Sequence, residues 1–351
     1  MEYNIIDYIK SLSNKLDFDI DKFIDFLPDN IEILNICFDK ISDIGNKNII
    51  IPNLSRFKNL KNLICRTNKF FSPKLGIKII ALTKLPENLK ILDVQNNYLT
   101  FLPELPYSLE YLLCSHNCLK CLPELPFKLY NLQCEYNNLT ILPYLPTSLE
   151  NLSCSFNKLD ILPELPFLLE YLNCCHNCLR YLPELPYKLY NLQCEYNYIT
   201  FLPNLPLSLE TLNCSFNQLN ILPELPCELK TLLCSDNYLY LLPEFPLTLN
   251  WLKCNNNPYI YGGNINIYYI NKHGCDIKCY IGDKNIIFDI NEEFQKIKKW
   301  RYIFYHMKFK KKFIKWYYKS QEKKIQEKYH PSKITQLLDK NIEIDDLELY
   351  L

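Results

Sequence analysis

One unit, LPxLPxxLxxLxCxxNxLxx, recurs at a constant short spacing and without a gap from Leu102 onward. Leu102, Leu122, Leu142, Leu162, Leu182, Leu202, Leu222 and Leu242 are in phase, as are the prolines from Pro103 to Pro243 and the asparagines from Asn117 to Asn257. A strict short period belongs to chains that stack one small unit on the next, because a single unit cannot bury its own apolar face. Earlier units keep the frame less regularly and are longer. Leu85, Pro86, Leu89, Leu92, Val94, Asn97 and Leu99 fit it, and so, one longer unit upstream, do Leu60, Leu63, Cys65 and Asn68. Ile31, Leu34 and Ile36 fit it one such unit further back, behind Leu27 and Pro28, which makes about eleven coils.

A longer period overlies the first. Residues 111–170 and 171–230 are identical at 43 of 60 positions, many of them outside the repeat framework, so three units were copied as a block.

Spacing predicts the path of one coil. Leu112 and Cys114 alternate with Tyr111, Leu113 and Ser115, the period of a short strand with Leu and Cys facing inward. Strands one unit apart run the same way, so the sheet is parallel. Asn117 falls at the bend leaving the strand, where its amide can bond backbone groups of its own and neighbouring coils; losing such a buried bond costs roughly 1–3 kcal/mol. Pro103 and Pro106, three apart, suit an extended polyproline II return and exclude a helix or a central strand there. Leu105, Leu109, Leu112, Leu119 and Leu122 point inward, each worth roughly 1.5–3 kcal/mol once a neighbouring coil covers it.

This pattern resembles the short leucine-rich repeats of bacterial effector proteins. Its Asn- and Cys-rich form is similar to leucine-rich repeat proteins of giant DNA viruses of amoebae, and the bias toward Asn, Ile, Lys and Tyr with only 6 Gly suits an AT-rich genome. The resemblance covers about residues 27–260. It implies a mainly β, α/β-type solenoid: a right-handed superhelix with a concave parallel sheet and an extended convex side. It implies protein binding and no chemistry.

The exposed strand positions form columns. One runs Tyr111, Asn131, Asn151, Tyr171, Asn191, Thr211, Thr231, Trp251; the next runs Leu113, Gln133, Ser153, Asn173, Gln193, Asn213, Leu233, Lys253. A third, at the rim, is His116, Tyr136, Phe156, His176, Tyr196, Phe216, which at about 4.8 Å per strand would extend roughly 25 Å. Aromatics mixed with amides and little charge resemble the core of a protein interface. The candidate protein-binding residues are therefore Tyr111, His116, Gln133, Tyr136, Phe156, Tyr171, His176, Gln193, Tyr196, Phe216 and Trp251. On the convex side Glu104, Glu124, Glu164, Glu184, Glu224 and Glu244 form an acidic stripe. Adjacent carboxylates about 5 Å apart in water repel by roughly 0.8 kcal/mol, which the fold tolerates.

Eight cysteines, one per unit from Cys114 to Cys254, take an inward position that Val94 holds in an earlier unit, and act there as small hydrophobes. Cys114, His116, Cys118 and Cys121 have zinc-like spacing. The repeat argues against a site, because Cys114 points inward and His116 outward, and the copied block has Tyr181 in place of the last ligand. No metal, cofactor or small-molecule substrate is expected. Some effectors of this kind carry a ubiquitin-ligase domain with a nucleophilic Cys, but Cys275, Asp276 and Cys279 do not reproduce its Cys-x-Asp loop. No phosphate loop, serine elbow or carboxylate pair appears, and His273, His306 and His330 lack clear partners, so no enzyme is expected.

The ends differ. Residues 1–26, with Ile5, Ile6, Ile9, Leu12 and Leu16, suit a helical cap on the solenoid of residues 27–261. Phe26 to Ile31 resembles the start of an F-box, which would imply a ubiquitin-ligase adaptor. Residues 262–290 read as a β-rich cap. Residues 291–351 form a basic, aromatic segment with helical spacing: between Phe294 and Lys333 lie 14 Lys/Arg and 2 Asp/Glu, in a chain whose 39 cations and 39 anions otherwise balance. Its aromatic content suits helices that pack on the chain's own C-terminal coils; alternatively, Lys308, Lys310, Lys311, Lys312, Lys315 and Trp316 are its candidate site for nucleic acid or an anionic membrane. An IQ-like start at Phe294 and Gln295, which would suit a calmodulin-like partner, fails at Phe304. No apolar run of signal length opens the chain and no apolar stretch long enough to span a membrane follows, so the reading is a cytoplasmic chain, in the host cytoplasm if viral, with reduced thiols.

Overall fold

The structure is a computed structural model that describes residues 2–12, 18–38, 47–67, 78–240, 242–243, 245–254 and 256–257, with two short strands beyond. The chain divides into two units, Met1–Phe288 and Asp289–Leu351. The second unit lies outside the described residues, and with it Lys308, Lys310, Lys311, Lys312, Lys315 and Trp316.

The first unit is organised by one parallel sheet of 12 strands. Strand β1 (Glu2–Asn4) precedes helices α1 (Ile5–Ser11) and α2 (Ile20–Phe26). Strands β2 (Ile33–Cys37), β4 (Asn62–Arg66) and β6 (Ile91–Asp93) follow in the sheet, with β3 (Asn48–Ile51) and β5 (Lys78–Leu82) between them in sequence. Eight three-residue strands complete it: β7 (Tyr111–Leu113), β8 (Asn131–Gln133), β9 (Asn151–Ser153), β10 (Tyr171–Asn173), β11 (Asn191–Gln193), β12 (Thr211–Asn213), β13 (Thr231–Leu233) and β14 (Trp251–Lys253). Neighbours pair in chain order with no slip, Leu112 opposite Leu132 and Leu132 opposite Leu152. A register that never slips keeps every Leu and Cys on the dry side.

The inward residues match the sequence frame. Leu109, Leu112, Cys114 and Leu119 are fully buried, as are their equivalents in the coils up to Leu239. Leu122 and its counterparts up to Leu222 are nearly so, and Leu242 is partly buried. Residues 101–106 hold no helix or strand, and exposure recurs every third residue, at Phe101, Glu104 and Tyr107, in keeping with three residues per turn. Each return ends in a turn in which the Leu109 amide donates to the Pro106 carbonyl at 3.0 Å. Ser108 then fastens it to the coil before, its Oγ donating to the Glu87 and Leu89 carbonyls at 2.7 Å.

Two features lie outside the repeat pattern. The sequence predicts a helical cap over residues 1–26; that span holds α1 and α2, and it opens with β1, which pairs parallel to β2 and lengthens the sheet. The longer early units also carry extra strands: β3 and β5 pair parallel to each other in a second, two-stranded sheet, with a register shift between Ile49 and Ile50. Arg56, in the return after β3, donates to the Ile24 carbonyl at 2.6 Å and the Leu27 carbonyl at 3.0 Å, satisfying the C-terminal end of α2. Leu27 and Ile31, the F-box-like residues, are buried in the core of the first coil, while Phe26 is exposed. Within residues 262–290, β15 (Ile265–Asn266) and β16 (Tyr280–Ile281) pair antiparallel; the rest of that segment lies outside the described residues.

Candidate functional site

The bend after each strand is built around asparagine. Asn117 Nδ2 donates to the Cys114 carbonyl of its own coil at 3.1 Å and to the Val94 carbonyl of the coil before at 2.9 Å. Its Oδ1 accepts the Leu99 amide at 3.0 Å. Asn137, Asn157, Asn177, Asn197, Asn217 and Asn237 repeat the set. To bring the amide under the chain the preceding residue turns left-handed: Asn96, His116, Tyr136, Phe156, His176, Tyr196, Phe216, Asp236 and Asn256 all have φ between 50° and 60°. Asn and Asp tolerate that region. For rings it costs of order 1–2 kcal/mol per residue.

The six rings recover part of this by stacking. His116 lies on Tyr136 at 4.2 Å between centroids, Tyr136 on Phe156 at 4.1 Å, Phe156 on His176 at 4.0 Å, His176 on Tyr196 and Tyr196 on Phe216 at 4.1 Å, all within 16° of parallel. Aromatic pairs contribute about 0.5–1.5 kcal/mol each beyond their buried area. Tyr136, Tyr196 and Phe216 still leave edges exposed. A shallow cavity of about 450 Å³ opens in front of the first four rings, bounded by Asn137, Asn157 and Lys158. Burial lowers the His176 pKa below the ordinary imidazole value.

The strand residues take their predicted columns. Tyr111, Asn131, Asn151, Tyr171, Asn191, Thr211, Thr231 and Trp251 stand opposite one another in sequence order, and so do Gln133, Ser153, Asn173 and Gln193. Gln193 donates to Asn191 at 2.8 Å, and Trp251 is exposed at the last described coil. Tyr111 packs on Tyr130, with ring centroids 5.6 Å apart. Tyr130 in turn donates to Glu150, which raises the phenol pKa.

Between columns and rings lies the row of Ser115 and its equivalents, Glu135, Ser155, Cys175, Glu195, Ser215 and Ser235, whose two glutamates sequence reasoning did not single out. The Ser115 hydroxyl donates to the Glu135 carboxylate. In the copied block the thiol of Cys175 takes the place of that hydroxyl, facing Glu195. Burial first, and the Glu195 charge second, push the Cys175 thiol up to about 12. Burial also raises the Glu195 carboxyl. Its Oε2 is buried without a hydrogen-bond partner among the described residues. Burial raises the Tyr171 phenol as well, with Glu135 and Glu195 adding to the effect. A glutamate recurring at a position otherwise held by Ser or Cys was the signal available in the sequence.

The inner thiols are sealed. Cys134, Cys174 and Cys194 are fully buried and their pKa values lie well above the ordinary thiol value, chiefly through burial. Cys114 is buried while His116 is committed to the ring stack, and Cys121 is exposed, so the zinc-like spacing does not converge. Among the described residues no group of three or more His, Cys, Asp or Glu is placed to hold a metal ion, and no helix is long and apolar enough to cross a membrane.

No protein-family model matches the chain, and no curated protein matches it. Solved structures do. YopM from Yersinia enterocolitica is 34% identical over 67% of this chain and 53% of its own, with a TM-score of 0.57. YopM from Yersinia pestis, a leucine-rich effector protein, is 30% identical over 57% of this chain and 73% of its own, with a TM-score of 0.41. A Shigella effector leucine-rich repeat domain is 36% identical over 41% of this chain and 67% of its own, with a TM-score of 0.37. The chain thus spans about half the length of the first of these, which it resembles most in overall fold among the three. With the 12-stranded parallel sheet and the buried Leu, Cys and Asn of every coil, that likeness settles the architecture: the chain folds as a leucine-rich repeat solenoid.

Proposed function

We propose that the chain is a non-catalytic scaffold that binds a protein partner on the open face of its sheet, through the strand columns and the ring edges. One observation carries this reading: six stacked rings with partly exposed edges run beside amide-bearing columns that hold little charge. The faces of the inner rings are covered by one another, so a ligand that stacks flat, such as a base or a sugar, finds none free along the row. Apolar edges beside amides suit a polypeptide. The ring step of 4.0–4.2 Å is also shorter than the ~4.8 Å between strands, so the coils converge on the ring side, which supports a concave surface there. The fold likeness to YopM is in keeping with a binding scaffold. The polyanion and ubiquitin-ligase readings rest on sequence alone.

The test uses the full chain. Tyr136, Phe156, Tyr196 and Phe216 are replaced together by Ser, and far-UV circular dichroism checks that the solenoid persists. Capture of partners from cell extract should be lost. Capture that survives in a folded variant would show that the rings are not the contact.

A further inference from the structure

The return segments present a second surface, independent of the rings. Every coil from 101 to 227 exposes the first, fourth and seventh residues of its return. Three residues make one turn of extended chain at about 3.1 Å each, so these share a face in columns about 9 Å apart. The first column is Phe101, Ile141, Ile161, Tyr181, Phe201 and Ile221, with Cys121 between; Ile141 is 57% exposed. The third is Tyr107, Phe127, Phe167, Tyr187 and Leu207, and Tyr107 is 79% exposed. Between them runs the acidic column Glu104, Glu124, Glu164, Glu184 and Glu224, interrupted only by Tyr144 and Asn204.

Such an arrangement is costly to leave in water. Monomeric proteins rarely expose apolar patches beyond a few hundred Å², and larger ones mark contact sites. No residue of the three columns is itself a cation, although Lys128 Nζ lies 5.8 Å from the Phe127 ring centroid, and none of the five carboxylates pairs with a cation among the described residues. The partner must therefore bring apolar groups and positive charge side by side. Its period is also set. Coils that converge on the ring side spread on the return side, so these columns step at or above ~4.8 Å, close to the roughly 5.4 Å pitch of an α-helix. A helix laid across the coils offers one residue per turn to each coil. A strand, whose same-face residues recur at about 6.8 Å, falls out of step.

We propose that the return face is a docking surface for a cationic amphipathic α-helix of a partner protein. Its apolar stripe seats on one hydrophobic column and its flanking Lys or Arg side chains reach the Glu column. In the first coils a groove of about 440 Å³, lined by Leu85, Pro103 and Tyr107 with two carboxylates, Glu87 and Glu104, against one cation, Lys84, begins this track.

The experiment is a fluorescence-anisotropy titration of the full chain with a labelled synthetic helix of Leu and Lys, about 20 residues long, with Leu on one stripe. The controls are the same composition scrambled and a version with Glu for Lys. The patterned cationic helix should bind, and the controls should not. Replacing Glu104, Glu124, Glu164 and Glu184 with Gln should weaken it about tenfold or more, from four ion pairs of modest strength each. Phe101→Ser with Ile141→Ser and Ile161→Ser should weaken it similarly, and Tyr136→Ser with Phe156→Ser should not. Affinity of the unaltered chain should also fall steeply with salt, a readout that stands even if a variant folds poorly. Equal binding of the scrambled peptide, or salt-insensitive binding, would overturn the proposal. So would sedimentation showing that the chain pairs with a second copy through these columns.

Discussion

The side-chain oxygen of Asn157 accepts the amide of Leu139 at 3.0 Å, across the seam between one coil and the coil before it. The same side chain donates to the Cys134 carbonyl at 3.0 Å and to its own coil's Cys154 carbonyl at 3.1 Å. Each Cys carbonyl also receives a second amide, from Asn137 and Asn177. The Leu139 amide has no such reserve. Asn157→Ala should therefore orphan one buried N–H and cost about 2–4 kcal/mol, read from urea unfolding. A cost below about 0.5 kcal/mol would mean that the ladder is decorative.

The left-handed rings make a sharper test. Phe156→Ala and Phe156→Gly both lose two stacking contacts, but only Ala keeps the penalty of positive φ. Ala should be the less stable of the two by about 1 kcal/mol, the reverse of the order in ordinary strands.

Stability should depend on pH through two half-buried groups of opposite sign. The folded His176 pKa lies below its unfolded value, so the unfolded chain binds the extra proton first and stability falls as pH drops below about 6.5. His176→Phe should flatten that limb in melts across mildly acidic pH. The folded Glu195 pKa lies above its unfolded value, so stability falls as pH rises from about 4.3 through the folded pKa. Glu195→Gln should raise the melting temperature at neutral pH and leave it unchanged near pH 3.

Thiol labelling should sort the cysteines by burial. In the native protein, mass spectrometry after brief maleimide treatment should find Cys121, Cys178 and Cys227 modified and Cys134, Cys154, Cys174 and Cys194 intact, because the first set is exposed and the second sealed. Native labelling of the inner set would mean that the coils open readily.

How much of this could be read from residues alone follows from repetition. Leu112, Cys114 and Asn117 were legible because eight units repeat them and burial admits only one assignment. The strand columns followed from period two. The second sheet of β3 and β5 was not legible, because only the two longer early units carry those strands and neither shares the strict pattern. Glu135 and Glu195 were missed although period two reached their equivalent Ser115, because a position held mostly by Ser gives no sign that two carboxylates are drawn in beside it. Interstrand bonding continues beyond the third strand residue: the His116 amide donates to the Glu135 carbonyl at 2.8 Å, so residue 115 and its equivalents still face outward. Spacing alone sets the rings in a column at the rim, but it does not reveal the positive φ that every ring-bearing residue adopts there.

The pairing of Ile91 with Tyr111, and of Leu92 with Leu112, makes no demand that the copied block fails to meet. Tyr171, Leu172, Cys174 and Asn177 stand where Tyr111, Leu112, Cys114 and Asn117 do. Excising residues 111–170 would join β6 to a splice that it already fits, and inserting a third block would be equally seamless. Length is thus a free variable of this architecture. Recombination within the gene can lengthen or shorten the molecule in whole steps without asking the rest to refold.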